Sequence, residues 1–119
     1  MRDFRQIKAW AKAHTLALSI YKRTSSFPRE ELYGLTSQMR RAASSIPANI
    51  AEGYGRGGDA ELSRFLQIAM GSAYEVEYHL LLARDLSLVD SAGHEQLQAQ
   101  VIEVKRMLTA LLMKVRASR

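Results

Sequence analysis

The sequence predicts an all-α fold built from four amphipathic helices. Apolar residues recur at three-and-four spacing in four separate stretches, the pattern of a helix with one buried face. No stretch shows the strict alternation of a half-buried strand. Helix-breaking residues separate the stretches: Phe27-Pro28, the glycines between 53 and 58, and the capping residue Asp90. At 119 residues the chain is one domain by size. A chain of this length buries about two-thirds of its unfolded surface, enough for a real core.

The chain is organised around residues 35–58, LTSQMRRAASSIPANIAEGYGRGG. Leu35, Met39, Ala42, Ala43, Ile46, Ile50 and Tyr54 fall on one helical face. Ser37, Arg41, Ser44 and Ala48 form the other side, all small apart from the arginine. One side can enter the chain's own core while the other receives a neighbour. Pro47 inside this second helix removes the hydrogen bond to the Ala43 carbonyl and crowds it, so a proline-bent helix is expected. The alternative is that Pro47 ends one short helix and opens another.

The first helix should span residues 6–24. Arg5, Lys8, Lys12, Thr15, Ser19 and Lys22 form its polar stripe, with Ile7, Trp10, Ala13, Ala17, Ile20 and Tyr21 opposite and His14 at the edge. Phe27-Pro28 breaks the pattern. Leu32 and Tyr33 are expected to fold back as a plug on the core. The third helix should span 59–86, capped by Asp59, or by Gly58 with Glu61 reaching back. Its main stripe is Leu62, Phe65, Leu66, Ala69, Ala73, Val76, Leu80 and Ala83. The fourth should follow Asp90 and run to 117, with a seam of Leu97, Val101, Val104, Leu108, Leu111 and Val115.

Several chemistries lack their motifs. There is no cysteine, hence no disulfide framework or thiolate chemistry, which suits a cytoplasmic location. No apolar run approaches the roughly 18 residues of a membrane span. The opening MRDFRQIKAW has no continuous apolar region after its charges, so no secretory signal is expected. Gly53, Gly55 and Gly58 match G-x-G-x-x-G, but a helix precedes them where the dinucleotide fingerprint needs a strand. A di-iron bundle needs Glu-x-x-His pairs. The residues three before His14, His79 and His94 are Ala11, Val76 and Ser91. No phosphate-binding loop or nucleophile elbow is present. A non-enzyme with no metal or cofactor is therefore expected.

The run EELYGLTSQMRRAASSIPANIAEGYGRG resembles the signature of the bacterial four-helix-bundle family of rRNA intervening-sequence proteins. The accessory proteins of diversity-generating retroelements belong to the same broad group. The likeness extends to Trp10, Ala13, Leu16 and Tyr21, to Phe65-Leu66, Ala69, Gly71-Ser72 and Glu75, and to Met107-Leu108 with Leu111. This resemblance implies an antiparallel up-down-up-down bundle that assembles as a ring-shaped homopentamer. It also implies a non-enzymatic role, with nucleic-acid binding attributed to some members. Asn49 and Glu52 match family positions that fasten the end of the second helix and its loop.

Two candidate surfaces follow. Met70, Tyr74, Tyr78, Leu81 and Leu82 lie off the main stripe of the third helix, a surplus apolar flank fit for an interface. The small side at Ser44 and Ala48 can receive it. Gly71 is unfavourable mid-helix unless something approaches closely. The net charge of +5 allows an anionic partner, RNA or DNA. In an up-down-up-down bundle one end would collect Arg2, Arg5, Lys8, Lys12, Arg56, Lys114, Arg116 and Arg119, partly offset by Asp3, Glu52, Asp59 and Glu61. The competing expectation is a scaffold for another protein, with the basic charge serving solubility.

Overall fold

The computed structural model describes residues 3–118 and shows four long helices with no strand among them. They are α1 (Lys8–Thr24), α2 (Ser37–Gly55), α3 (Asp59–Asp85) and α4 (Ser91–Ala117). Both α1 and α3 pack against α2 and α4, which is the antiparallel up-down-up-down arrangement. The 46 Å long axis fits 27-residue helices at about 1.5 Å per residue. The expected Arg2 and Arg119 contributions lie outside the described residues.

The stripes read from the sequence meet in one core. Leu16 and Ile20 of α1, Met39, Ile46 and Ile50 of α2, Leu66, Val76 and Leu80 of α3, and Val101, Val104 and Leu108 of α4 are all fully buried. Pro47 does not split its helix: α2 is continuous from Ser37 to Gly55 around it. Polar side chains serve the backbone and the neighbouring helix at this level. The Asn49 carboxamide donates to the Ser45 carbonyl at 2.8 Å and to its hydroxyl at 2.9 Å, and that hydroxyl meets Ser72 of α3 at 2.9 Å. Asn49 therefore braces Ser45, which reaches α3 through Ser72, within α2 rather than at the expected loop.

The α2–α3 turn uses two glycines for different reasons. Gly57 has φ +75°, the left-handed region that favours glycine. At Gly53 an added Cβ would lie 3.0 Å from Leu62 Cδ1 and Phe65 Cβ, so glycine lets α2 close onto α3. Gly58 takes the N-cap position of α3, its carbonyl accepting from Leu62 N–H at 2.9 Å, but Glu61 does not reach back to it and Asp59 is already the first helical residue. Gly58 precedes the helix without a side-chain bond, Glu61 turns to Arg64 at 2.9 Å, and Asp59 accepts from the Ser118 hydroxyl at 3.1 Å. Asp90 does cap α4, accepting from Gly93 N–H at 2.7 Å. The same carboxylate holds Arg23 of α1 at 3.2 Å.

Two expectations about the core are corrected. Leu32 and Tyr33 do not plug it; they are 43% and 93% exposed. The chain kinks at Gly34, whose φ and ψ of −112° are non-helical, Leu32 and Tyr33 lie exposed before the kink, and Phe27 and Leu35 are buried in their place. In the last turns of α4 it is Leu112, not Leu111, that is fully inside. The seam there steps by four from Leu108, and Leu111 packs only partly against the core.

Candidate assembly face and nucleic-acid interface

The expected apolar flank of α3 divides in two. Met70 and Leu82 are half-buried and pack on the chain's own core. Tyr74, Tyr78 and Leu81 are exposed at 57%, 58% and 40%. The Lys105 ammonium sits 4.0 Å above the Tyr74 ring and pairs with Glu77 at 2.7 Å, which holds Tyr74 in place. Gly71 lies one turn and two turns before these tyrosines on the same side. An added Cβ at Gly71 meets nothing within 4 Å, so no helix of this chain requires the glycine.

Ser44 and Ala48 line an open groove of about 400 Å³ between α1 and α2, floored by Pro47 and walled by Trp10, Leu18 and Tyr21. Phe4 meets Trp10 edge-on at 5.1 Å, and Trp10 stacks on His14 at 4.9 Å. Leu18 is 57% exposed. The aromatic wall was not read from the sequence as a surface. Its signal was present, since α1 carries more apolar residues than one stripe can bury. The groove and the α3 flank sit on different sides of the bundle because α1 and α3 are diagonal.

The basic residues are less concentrated than their positions in sequence imply. Arg5 is engaged by Asp3 at 3.0 Å, which raises the guanidinium pKa and lowers the carboxyl's through hydrogen bonding. Arg56 pairs with Glu52 at 2.7 Å and lies 5.0 Å over the Phe65 ring. Lys12 pairs with Glu103 at 2.9 Å. Glu103 lies about 16 Å along α4 from Lys114, so Lys12 belongs to the side of the bundle rather than its end. Lys8, Lys114 and Arg116 have no ion-pair partner among the described residues. Lys114 lines a cleft with Gly57, Gly58 and Asp59, so the end of α4 does meet the α2–α3 turn.

His79 and His94 are the buried histidines. Among the described residues, no group of three or more His, Asp or Glu could hold a metal ion. His79 is 8% exposed, its Nδ1 has no partner, and burial depresses its pKa against a smaller opposing pull from Glu75 at 3.7 Å. The unfolded chain takes up this proton near pH 6.5, whereas the folded chain resists it. Stability from the neutral ring is therefore complete above about pH 6.5 and declines as pH falls toward the folded value. Thermal melts between pH 7 and 5 are expected to show a declining melting temperature, and His79→Gln should flatten that slope. An unchanged slope in the variant would exclude His79 as its source.

No helix among the described residues is long and apolar enough to cross a membrane. The fold is shared with a crystal structure of a protein of unknown function from the S23 ribosomal protein family of Bacteroides thetaiotaomicron. That likeness has a TM-score of 0.79 at 24% identity and covers 87% of this chain and 97% of the other. No curated protein matches. The family model described as 23S rRNA-intervening sequence protein matches residues 5–110, from the turn before α1 into the last turns of α4. With α1, α2, α3 and most of α4 inside that match, the chain belongs to the 23S rRNA-intervening sequence protein family.

Proposed function

We propose that the chain is a non-enzymatic, oligomeric accessory protein that binds nucleic acid weakly and without sequence specificity. The observation that carries the nucleic-acid part is the set of unpaired cations Lys8, Lys114 and Arg116, of which Lys114 lines the cleft at an α2–α3 turn whose helix start has no side-chain cap. The oligomer brings the exposed flank at Tyr74, Tyr78 and Leu81 of one copy to the Ser44–Ala48 groove of the next. Such a contact joins different faces, so it closes into a ring when the rotation fits, a pentamer in our reading. A ring repeats the three cations around its axis, and each phosphate contact adds counterion release. No base-reading element accompanies them, so recognition rests on the phosphate backbone.

The test is a titration against single-stranded RNA and duplex DNA across salt. Three phosphate contacts predict an affinity loss of roughly 40-fold between 50 and 200 mM salt, and more for a ring. The triple change Lys8→Glu, Lys114→Glu, Arg116→Glu should abolish end-on binding. One observation favours a second reading: Arg5, Lys12, Arg23, Arg56, Arg64, Arg84 and Lys105 are all already ion-paired. If the wild type binds nothing at low salt, the protein is a scaffold for another protein and its charge serves solubility.

A further inference from the structure

At the opposite end of the bundle, where α1 gives way to α2, an open cleft of about 430 Å³ is lined by Tyr21, Tyr33, Thr36, Arg40 and Arg41 among others. This lies within the size range of small-ligand sites. Three features of the cleft have no partner within the chain, and a fourth is only partly used by it. Tyr33 is 93% exposed, on a turn whose next residue, Gly34, departs from helical geometry. Arg41 is exposed and has no ion-pair partner among the described residues. Thr36 is 3% exposed, and its hydroxyl has no hydrogen-bond partner. Buried polar groups are nearly always satisfied, so this hydroxyl in the cleft's wall is an exception.

The fourth feature is Arg40, which is held rigidly. Its Nε donates to the Thr24 hydroxyl at 2.9 Å, its Nη2 donates to the Tyr21 carbonyl at 3.2 Å, and its guanidinium lies 4.8 Å over the Tyr21 ring. A guanidinium has five N–H donors, so three remain for a ligand. The cation is therefore pre-ordered, with donors to spare, beside an exposed aromatic ring. Glu31 on the neighbouring turn is turned inward and accepts from Leu35 N–H at 3.4 Å. Glu30 is exposed there, and Arg29 beside it offsets its charge.

We infer that this cleft takes one nucleotide of a single strand, its base stacked on Tyr33 and its phosphate held by Arg40 and Arg41. A planar π-face next to fixed phosphate donors is the combination that sequence-tolerant single-strand binding uses. A duplex cannot supply the base, because its bases are already stacked on one another. The inference rests on the nucleic-acid reading above and refines it, adding strand selectivity and a contact point far from Lys8, Lys114 and Arg116.

The experiment is an anisotropy titration of the full chain with one labelled sequence, as a single strand and as a duplex. Tyr33→Ala removes no buried contact, and it should lower single-strand affinity about ten-fold while leaving duplex affinity within two-fold. Tyr33→Phe should retain binding. Arg41→Gln should weaken single-strand binding and reduce its salt slope by about one contact. If Tyr33→Ala leaves single-strand affinity unchanged while the charge-reversal triple abolishes binding, this site is refuted and the proposed function stands. If Tyr33→Ala changes the oligomer mass, the cleft is a contact between copies. If an acidic peptide competes and oligonucleotides do not, the cleft recognises protein. If the wild type binds neither strand form, both readings fail.

Discussion

Tyr78→Lys and Leu81→Lys are each expected to lower the mass in solution from that of the proposed ring, about 67 kDa for five 13.4 kDa chains, toward that of one chain. Helical circular dichroism should be almost unchanged. The two halves of this expectation rest on the same fact: both side chains are exposed, at 58% and 40%, and neither belongs to the buried core of its own chain. Across a contact between copies the situation reverses. A lysine ammonium forced against Trp10, Leu18 and Pro47 of a neighbour must shed its water without gaining a counter-charge, which is strongly unfavourable. Truncating a central aromatic anchor typically costs 2 kcal/mol or more, about 30-fold in the association constant. Light scattering at micromolar concentration measures the outcome. A wild type that is already monomeric there removes the ring from the proposal, and a full-mass Tyr78→Lys variant moves the interface off α3.

The same contrast between inward and outward residues explains what could be read from the sequence. Periodicity locates a helix and its buried face because both are properties of one segment. That is why the ranges of α3 and α4 and most of the buried stripes follow from spacing, although the α1 stripe omits Leu16, which is fully buried. What lay beyond reach depends on which helix faces which, and at what height. Lys12 and Lys8 are one turn apart in sequence, yet Lys12 meets Glu103 and Lys8 stays free, a distinction set by the register of α1 against α4. Leu111 and Leu112 are equally apolar, and only the approach of the other helices selects Leu112 for the core. Leu32 and Tyr33 stay outside the core because the chain kinks at Gly34 before α2, and no apolar spacing announces a kink. The Trp10–Leu18–Tyr21 wall emerged only when α1 and α2 were placed side by side.

Gly71→Ala is expected to act in opposite directions on the chain and on its assembly. In the middle of an exposed helical face, glycine is less favourable than alanine by about 1 kcal/mol. The position has open space around it, so within one chain the change should be a pure gain, raising the melting temperature by about 4 °C. A glycine there makes physical sense if another helix comes close, as α3 does at Gly53, where an added Cβ would lie 3.0 Å from Leu62 and Phe65 side-chain atoms. On the proposed ring, Gly71 sits between the exposed tyrosines and the groove of the next copy, and a methyl group would hold the surfaces apart. The comparison is a double-mutant cycle with Tyr78→Lys, reading melting temperature and mass together. In the Tyr78→Lys background, with the ring dissociated, Gly71→Ala should stabilise. In the wild-type background the gain should vanish or reverse, with a shift of mass toward smaller species. Equal stabilisation in both backgrounds, at undiminished oligomer mass, would mean that nothing approaches Gly71 and that the interface lies elsewhere.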